Sequence, residues 1–237
     1  RTIRERAQAL IDIAHPDDRA TLVQKAKDAK LLYKDQIFFA ESGHLYPENL
    51  ARTETFKDQL KIHFRPIKPS DEDEMRRLFY RFSDQAVYYR YFSRIKTMPH
   101  GKMQEYVNVD YRRAMSIVGT VHEKGMDRII AEARYVRLAD RPYADTAFLV
   151  DEAYQGKGIS TFLLNMLIRI AREQGGIEGF RADVLLDNKS MLRVFEKTPF
   201  PLRAVVSEGA YEIVISFAEK DVTDEVRRLE EEKGKKV

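Results

Sequence analysis

Two glycines one residue apart, Gly156 and Gly158, stand at the head of a segment whose apolar residues recur with helical spacing. The local run is Gln155-Gly156-Lys157-Gly158-Ile159-Ser160-Thr161. Behind it Phe162, Leu163, Met166, Leu167, Ile170 and Ala171 make a stripe at i, i+1, i+4, i+5, i+8 and i+9, which predicts a helix over 160–172. In front of it 143–150 reads as a strand, joined to the turn by a short acidic connection. A strand, a glycine turn and a helix start make an arrangement that binds phosphate. The first N–H groups of a helix lack intrahelical partners and point outward with the positive end of the dipole, so an anion there satisfies several donors together. Glycine removes the Cβ atoms that would hold the ligand off the backbone. The plainer alternative is a strand-to-helix turn whose glycines serve geometry alone. A Rossmann turn needs glycine where Thr161 stands, and a P-loop needs Gly-Lys-Ser/Thr after a longer spacing, so both nucleotide readings weaken.

Composition bounds the other chemistries. The absence of cysteine excludes a disulfide framework, a thiolate nucleophile and a zinc ribbon, and suits a reducing cytoplasm. Histidines 15, 44, 63, 100 and 122 are scattered without metal-ligand spacing, so no metal is expected. Lys plus Arg number 41 against 38 Asp plus Glu, a net charge of +3 that makes no strong case for nucleic acid. No apolar run approaches the roughly 18 residues of a membrane span, and the first residues lack the apolar stretch of a signal peptide. The expectation is a soluble, cytoplasmic protein with neither a membrane nor a nucleic-acid partner. The first residue is not methionine, and Ile3, Ala7, Leu10, Ile11 and Ala14 already follow helical spacing, so the chain is expected to be part of something longer.

The elements that must position the turn follow from periodicity and punctuation. A helix over 4–14 ends at His15-Pro16, and a second, opened by Pro16, Asp17 and Asp18, should run to about Leu32. Ile37-Phe38-Phe39 is a short apolar run, and 42–52 looks like a connector. Residues 59–67 alternate as a strand, with Leu60, Ile62, Phe64 and Ile67 broadly on one side. Ser70, followed by Asp73, should cap a helix bearing Met75, Leu78 and Phe79. After the aromatic cluster at 88–92 and a short helix over 102–108 come strands at 116–121 and 129–136, arranged as a hairpin about 122–127. Gly175-Gly176 ends the main helix. A strand at 180–186, a short helix at 188–196 and a hairpin of 202–206 with 211–217 complete a mixed α/β layout, not a regular βαβ winding. Three parts are expected: a helical segment with linker over 1–50, an α/β domain over 55–220, and a charged, dispensable tail over 221–237.

At the turn the chain resembles the GNAT N-acetyltransferase superfamily. The family motif, Gln/Arg-x-x-Gly-x-Gly/Ala, falls on Gln155, Gly158 and Ser160, with serine as a small departure at the last place. A second signature is the strand 182–186 followed by Asn188-Lys189-Ser190-Met191-Leu192-Arg193-Val194-Phe195. The resemblance implies a mostly antiparallel sheet flanked by helices, with acetyl-CoA as cosubstrate. Its diphosphate would lie on 155–161, and its pantetheine arm between two splayed strands, bonded to the backbone of Phe148-Leu149-Val150 and touched by Asn188. Asn188 reads equally as a helix cap. Within 88–115, Tyr91-Phe92-Ser93, Met98-Pro99-His100 and 109–115 resemble the bacterial protein-lysine acetyltransferase branch, which implies a protein lysine acceptor such as a coenzyme A ligase. Residues 1–32, notably Arg4-Glu5-Arg6-Ala7 and Ile13-Ala14-His15-Pro16, resemble the C-terminal end of acetyl-CoA hydrolase/transferases, which implies a covalently attached coenzyme A transferase.

An amine attacks a thioester only when neutral, so a base or water chain must take its proton. The resemblance places a glutamate at the position of Asp145, one methylene shorter here, and Glu132 on the neighbouring strand is the other candidate. Each reads alternatively as a solvated or ion-paired strand residue. Where many family members use a tyrosine to protonate the leaving thiolate, this chain has Phe195, which cannot donate. Tyrosines 88, 89, 91, 106 and 111 either line an acceptor cleft or belong to the core. The rival to an enzyme is a non-catalytic acyl-CoA sensor that regulates the attached transferase.

Overall fold

A computed structural model describes residues 2–34, 36, 46–139 and 141–217. Among these residues eight strands form one sheet in the order β1-β2-β3-β4-β5-β6-β8-β7. They are β1 (Arg52–Thr55), β2 (Lys61–Pro66), β3 (Ala114–Glu123), β4 (Met126–Arg137), β5 (Tyr143–Val150), β6 (Gly179–Leu185), β7 (Leu202–Ser207) and β8 (Ala210–Ser216). The helices are α1 (Ile3–Ile13), α2 (Pro16–Asp28), α3 (Glu72–Phe79), α4 (Asp84–Tyr91), α5 (His100–Val107), α6 (Ile159–Gln174) and α7 (Lys189–Glu196). Neighbouring strands run antiparallel throughout, except that β5 and β6 are parallel. This is the mixed α/β layout that the sequence pattern predicts, and the mostly antiparallel sheet flanked by helices that the family resemblance implies.

Alternation along the central strands feeds two cores. Ile117 of β3 and Ala131, Ala133 and Tyr135 of β4 join one cluster with Leu163, Leu167 and Ile170 of α6. Val118 and Leu149 join the other, beneath Met75 and Leu78 of α3 and Met103 of α5. Each fully buried Leu or Ile contributes on the order of 2 kcal/mol, so the stripe on α6 fixes that helix firmly against the sheet. The hairpin between β3 and β4 turns at Lys124 (φ 51°) and Gly125 (φ 76°), the two successive positive angles that match the twist of its strands.

Several expectations are corrected. Ile67 does not share a side with Ile62 and Phe64: it packs in the cluster under α3, because it has the opposite parity to both. The connector expected over 42–52 runs into the edge strand β1, whose Arg-Thr-Glu-Thr sequence buries nothing and so leaves no apolar alternation to read. Neither Ser70 nor Asp73 caps α3. A turn over Pro69–Asp71 precedes the helix, and the Asp71 carboxylate accepts from the Lys68 N–H at 2.7 Å and from both Arg65 terminal nitrogens at 2.7 Å. The second helix stops at Asp28, with Leu32 buried beyond it.

Ile11, Val23, Ala26 and Leu32 form a small cluster of their own. Arg4 pairs with Asp73 at 3.2 Å, Arg77 with Glu5 at 3.1 Å, and the Tyr33 and His100 rings lie 3.8 Å apart. These contacts seat the first two helices on α3 and the start of α5. The apolar run 37–39 and the tail 221–237 lie outside the described residues.

Candidate active site

The parallel pair supplies the opening. β5 and β6 are in register only from Tyr143↔Gly179 to Asp145↔Arg181. Beyond that point the two part, while β5 stays paired to β4 through Val150 and β6 to β8 through Leu185. A cleft of about 550 Å³ follows the gap, with Phe148, Leu149 and Val150 on one wall and Ala182 and Val184 on the other. Among the described residues, the edge of β5 that faces it has no strand partner past Asp145. Phe195, buried and edge-on to Phe148 at 5.8 Å between ring centres, also borders it.

At the wide end lies the glycine turn. Gly156 (φ 74°) and Gly158 (φ 90°) both occupy the left-handed region, and a Cβ on either would meet nothing of the chain within 4 Å. The turn is therefore a bare backbone concavity. No side chain caps α6, so its first N–H groups face the cleft mouth without a competing acceptor. Gln155 fixes the approach by donating from Nε2 to the Val150 carbonyl at 3.1 Å. These features fit a bound diphosphate. Ser160 and Thr161 line the cleft, whereas Ile159 is buried and offers only its backbone. The Lys157 side chain turns away and pairs with Asp58 at 2.5 Å, so only its main chain belongs to the turn. Asn188 caps α7, accepting from the Met191 N–H at 3.2 Å, and also borders the cleft.

A bulge in β4 anchors this turn. Gly119 is opposite Ala131 and Thr120 opposite Ile129, which makes Ile130 the extra residue. Its carbonyl accepts from the Asp151 N–H at 2.8 Å. The buried Asp151 carboxylate accepts from Arg81 Nε at 2.9 Å, Arg128 Nη2 at 3.1 Å and the Ala153 N–H at 3.2 Å. Glu152 in turn accepts from the Ser83 N–H and hydroxyl at 2.9 and 2.8 Å, tying the start of α4 to the same loop. The acidic connection is legible in the sequence, but Arg81, Ser83 and Arg128, which donate to its carboxylates, are 23 to 70 positions away and carry no local signal.

The two candidate carboxylates have different surroundings. Asp145 is exposed, lines the cleft and stands at its narrow end, where the strands begin to part. Glu132 does not line it. It is 1% exposed, accepts from the Ser116 hydroxyl at 2.7 Å and is paired with Arg134 at 2.6 Å. Among the tyrosines, Tyr89 reaches the cleft, Tyr91 and Tyr106 pack on the second core, and Tyr111 is buried with its hydroxyl donating to the Ile67 carbonyl at 2.6 Å. Tyr154 lines the cleft unanticipated. Burial, with the Glu123 carboxylate it donates to at 2.5 Å, pushes its hydroxyl up to about 12. Arg90 of α4, Arg181 of β6 and Arg193 of α7 also line the cleft, and the sequence gives none of them a role. Among the described residues no group of three metal-ligating side chains occurs, and no helix is long and apolar enough to cross a membrane.

A bare, uncapped glycine turn at the mouth of a splayed parallel pair is the frame of the site. Residues 71–200 match the model of the acetyltransferase (GNAT) family, and the chain belongs to that family. With it comes the enzyme class, acyl-CoA-dependent N-acyltransferase, and acetyl-CoA as cosubstrate. Acetyltransferase Pat of Mycolicibacterium smegmatis is 34% identical over 138 residues, 57% of this chain and 40% of that protein. Acetyltransferase PA5475 of Pseudomonas aeruginosa is 26% identical over 130 residues, 55% of this chain and 70% of that one. The crystal structure of the GNAT domain of S. lividans PAT superposes with a TM-score of 0.66 at 26% identity, covering 73% of this chain and all of that domain. The chain thus spans well under half the length of the M. smegmatis protein.

Proposed function

We propose that this chain moves acetyl from acetyl-CoA to the ε-amine of a protein lysine, and that Asp145 takes the proton the amine sheds. One observation carries the reading: a single cleft joins the uncapped glycine turn at its wide end to a carboxylate at its narrow end. Acetyl-CoA supplies the activated thioester carbonyl. The main-chain N–H groups of 156–161 hold its diphosphate, the unpaired edge of Phe148-Leu149-Val150 bonds its pantetheine amides, and Asn188 contacts the arm. Asp145 then lies beside the acyl end, where it orients the incoming amine and accepts its proton. Glu132, closed in by Arg134 and Ser116, is assigned a structural part. Phe195 cannot donate, and the Tyr154 proton is engaged by Glu123, so the departing thiolate takes its proton from solvent.

The protein acceptor is supported by the resemblance of 88–115 to the lysine acetyltransferase branch and by the likeness to Pat. On the same footing we read 55–220 as the acetyltransferase unit, 221–237 as a tail, and 1–50 as the end of a coenzyme A hydrolase/transferase with its linker. The full-length protein would then also move coenzyme A between carboxylic acids. Incubation with labelled acetyl-CoA and candidate proteins, coenzyme A ligases among them, tests the central claim. Label on lysines is the expected result. Saturable acetyl-CoA binding with no label on any amine would favour a sensor and sink it.

A further inference from the structure

We infer that the acceptor carries a carboxylate beside its reacting amine and that Arg90 binds it, an inference that rests on the acetyltransferase reading above. Arg90 sits near the end of α4 and lines the same cleft as Asp145. Its guanidinium carbon stands 5.0 Å from the centre of the Tyr91 ring and 5.8 Å from that of Tyr106, which holds the group in place. Its Nε is buried and has no hydrogen-bond partner, a state that native proteins rarely leave without a reason. No carboxylate among the described residues forms an ion pair with it.

Its place along the cleft separates it from the diphosphate. Ser83, just before α4, bonds Glu152, which lies past the end of β5. Tyr106, beside Arg90, accepts at its carbonyl from Arg134, whose register partner is Ala147 in the middle of β5. The helix therefore runs back along β5, and Arg90 faces the stretch between the glycine turn and Asp145. A fixed guanidinium lining the cleft there repels a lone ammonium and suits a carboxylate, for which its planar donors are shaped. An acidic residue next to a protein lysine, or the α-carboxylate of a free amino acid, supplies that group.

The test uses two lysine peptides that differ only in Glu or Gln beside the lysine, together with free lysine and lysine amide. The Glu peptide should be acetylated with about tenfold higher kcat/KM, the ratio that a charge-assisted hydrogen bond provides. Arg90→Gln should bring that ratio near unity without raising the KM for acetyl-CoA, and Arg90→Lys should restore part of it. A larger preference for free lysine over its amide would place the carboxylate on an amino acid. Equal rates within both pairs overturn the inference while the acetyltransferase reading stands, and no acetylation of any acceptor overturns both. A rise in acetyl-CoA KM in Arg90→Gln with the peptide ratio intact would make Arg90 a phosphate contact and also overturn it. Should Arg90→Gln fail to fold, the wild-type preference must shrink as salt rises, because screening weakens a charge contact. A salt-independent preference counts against it.

Discussion

The two ends of the cleft are built from different materials. The wide end is backbone: two glycines in the left-handed region and the uncapped start of α6, all within eight consecutive positions. The narrow end and the stretch beside it are lined by side chains, Asp145 of β5, Arg181 of β6 and Arg90 of α4, which share one cleft only because a sheet register and a docked helix bring them to it. A backbone site keeps its donors whatever the neighbouring side chains do, which suits the invariant part of a ligand. A side-chain site is adjustable, which suits the acceptor.

That division predicts separable failures. The largest belongs to the narrow end: Asp145→Asn should lower kcat by roughly 100- to 10,000-fold, the range over which a positioned base acts, with acetyl-CoA affinity unchanged. A loss under tenfold in a folded protein would remove Asp145 from proton transfer. At the wide end, Gly158→Val forces a β-branched residue to φ 90° and fills the concavity. Strain of about 1–3 kcal/mol adds to lost approach, so acetyl-CoA affinity should drop on the order of 100-fold by calorimetry. Retained affinity would mean that the diphosphate lies elsewhere.

The same contrast explains what the sequence discloses. The turn, its strand and its helix are contiguous, and the stripe from Phe162 to Ala171 announces the helix, so this end is readable before any fold is known. The parting of β5 from β6 comes only from the family resemblance. Glu132 stands as a second candidate behind Asp145 because strand alternation places both on one face of the sheet, while the Ser116 and Arg134 contacts that enclose Glu132 depend on β3 pairing with β4. Arg90 is hidden among Tyr88-Tyr89-Arg90-Tyr91-Phe92, a run without amphipathic spacing. β1 is invisible because an edge strand that buries nothing has no period to detect.

Glu132 sharpens the boundary between structure and catalysis. Its side chain is buried and joined to Arg134 at 2.6 Å, so Glu132→Ala strands a guanidinium that is itself only 11% exposed. Breaking such a pair costs roughly 3 kcal/mol, which should appear as a lower denaturation midpoint. The residual folded enzyme should keep most of its kcat. A variant of unaltered stability with abolished turnover would transfer the role of base from Asp145 to Glu132.

The smallest effect should come from the residue most easily mistaken for a phosphate ligand. Lys157 lies between the two glycines, where a cation would suit a diphosphate, yet its ammonium reaches Asp58, which is 77% exposed in its side chain. Water screens so exposed an ion pair, which therefore contributes little. Lys157→Ala should therefore change acetyl-CoA affinity less than about threefold and thermal stability hardly at all. The main-chain N–H that the turn uses is still present in alanine. A tenfold loss of affinity would show that the side chain leaves Asp58 when ligand arrives, and the wide end would then owe part of its grip to a side chain after all.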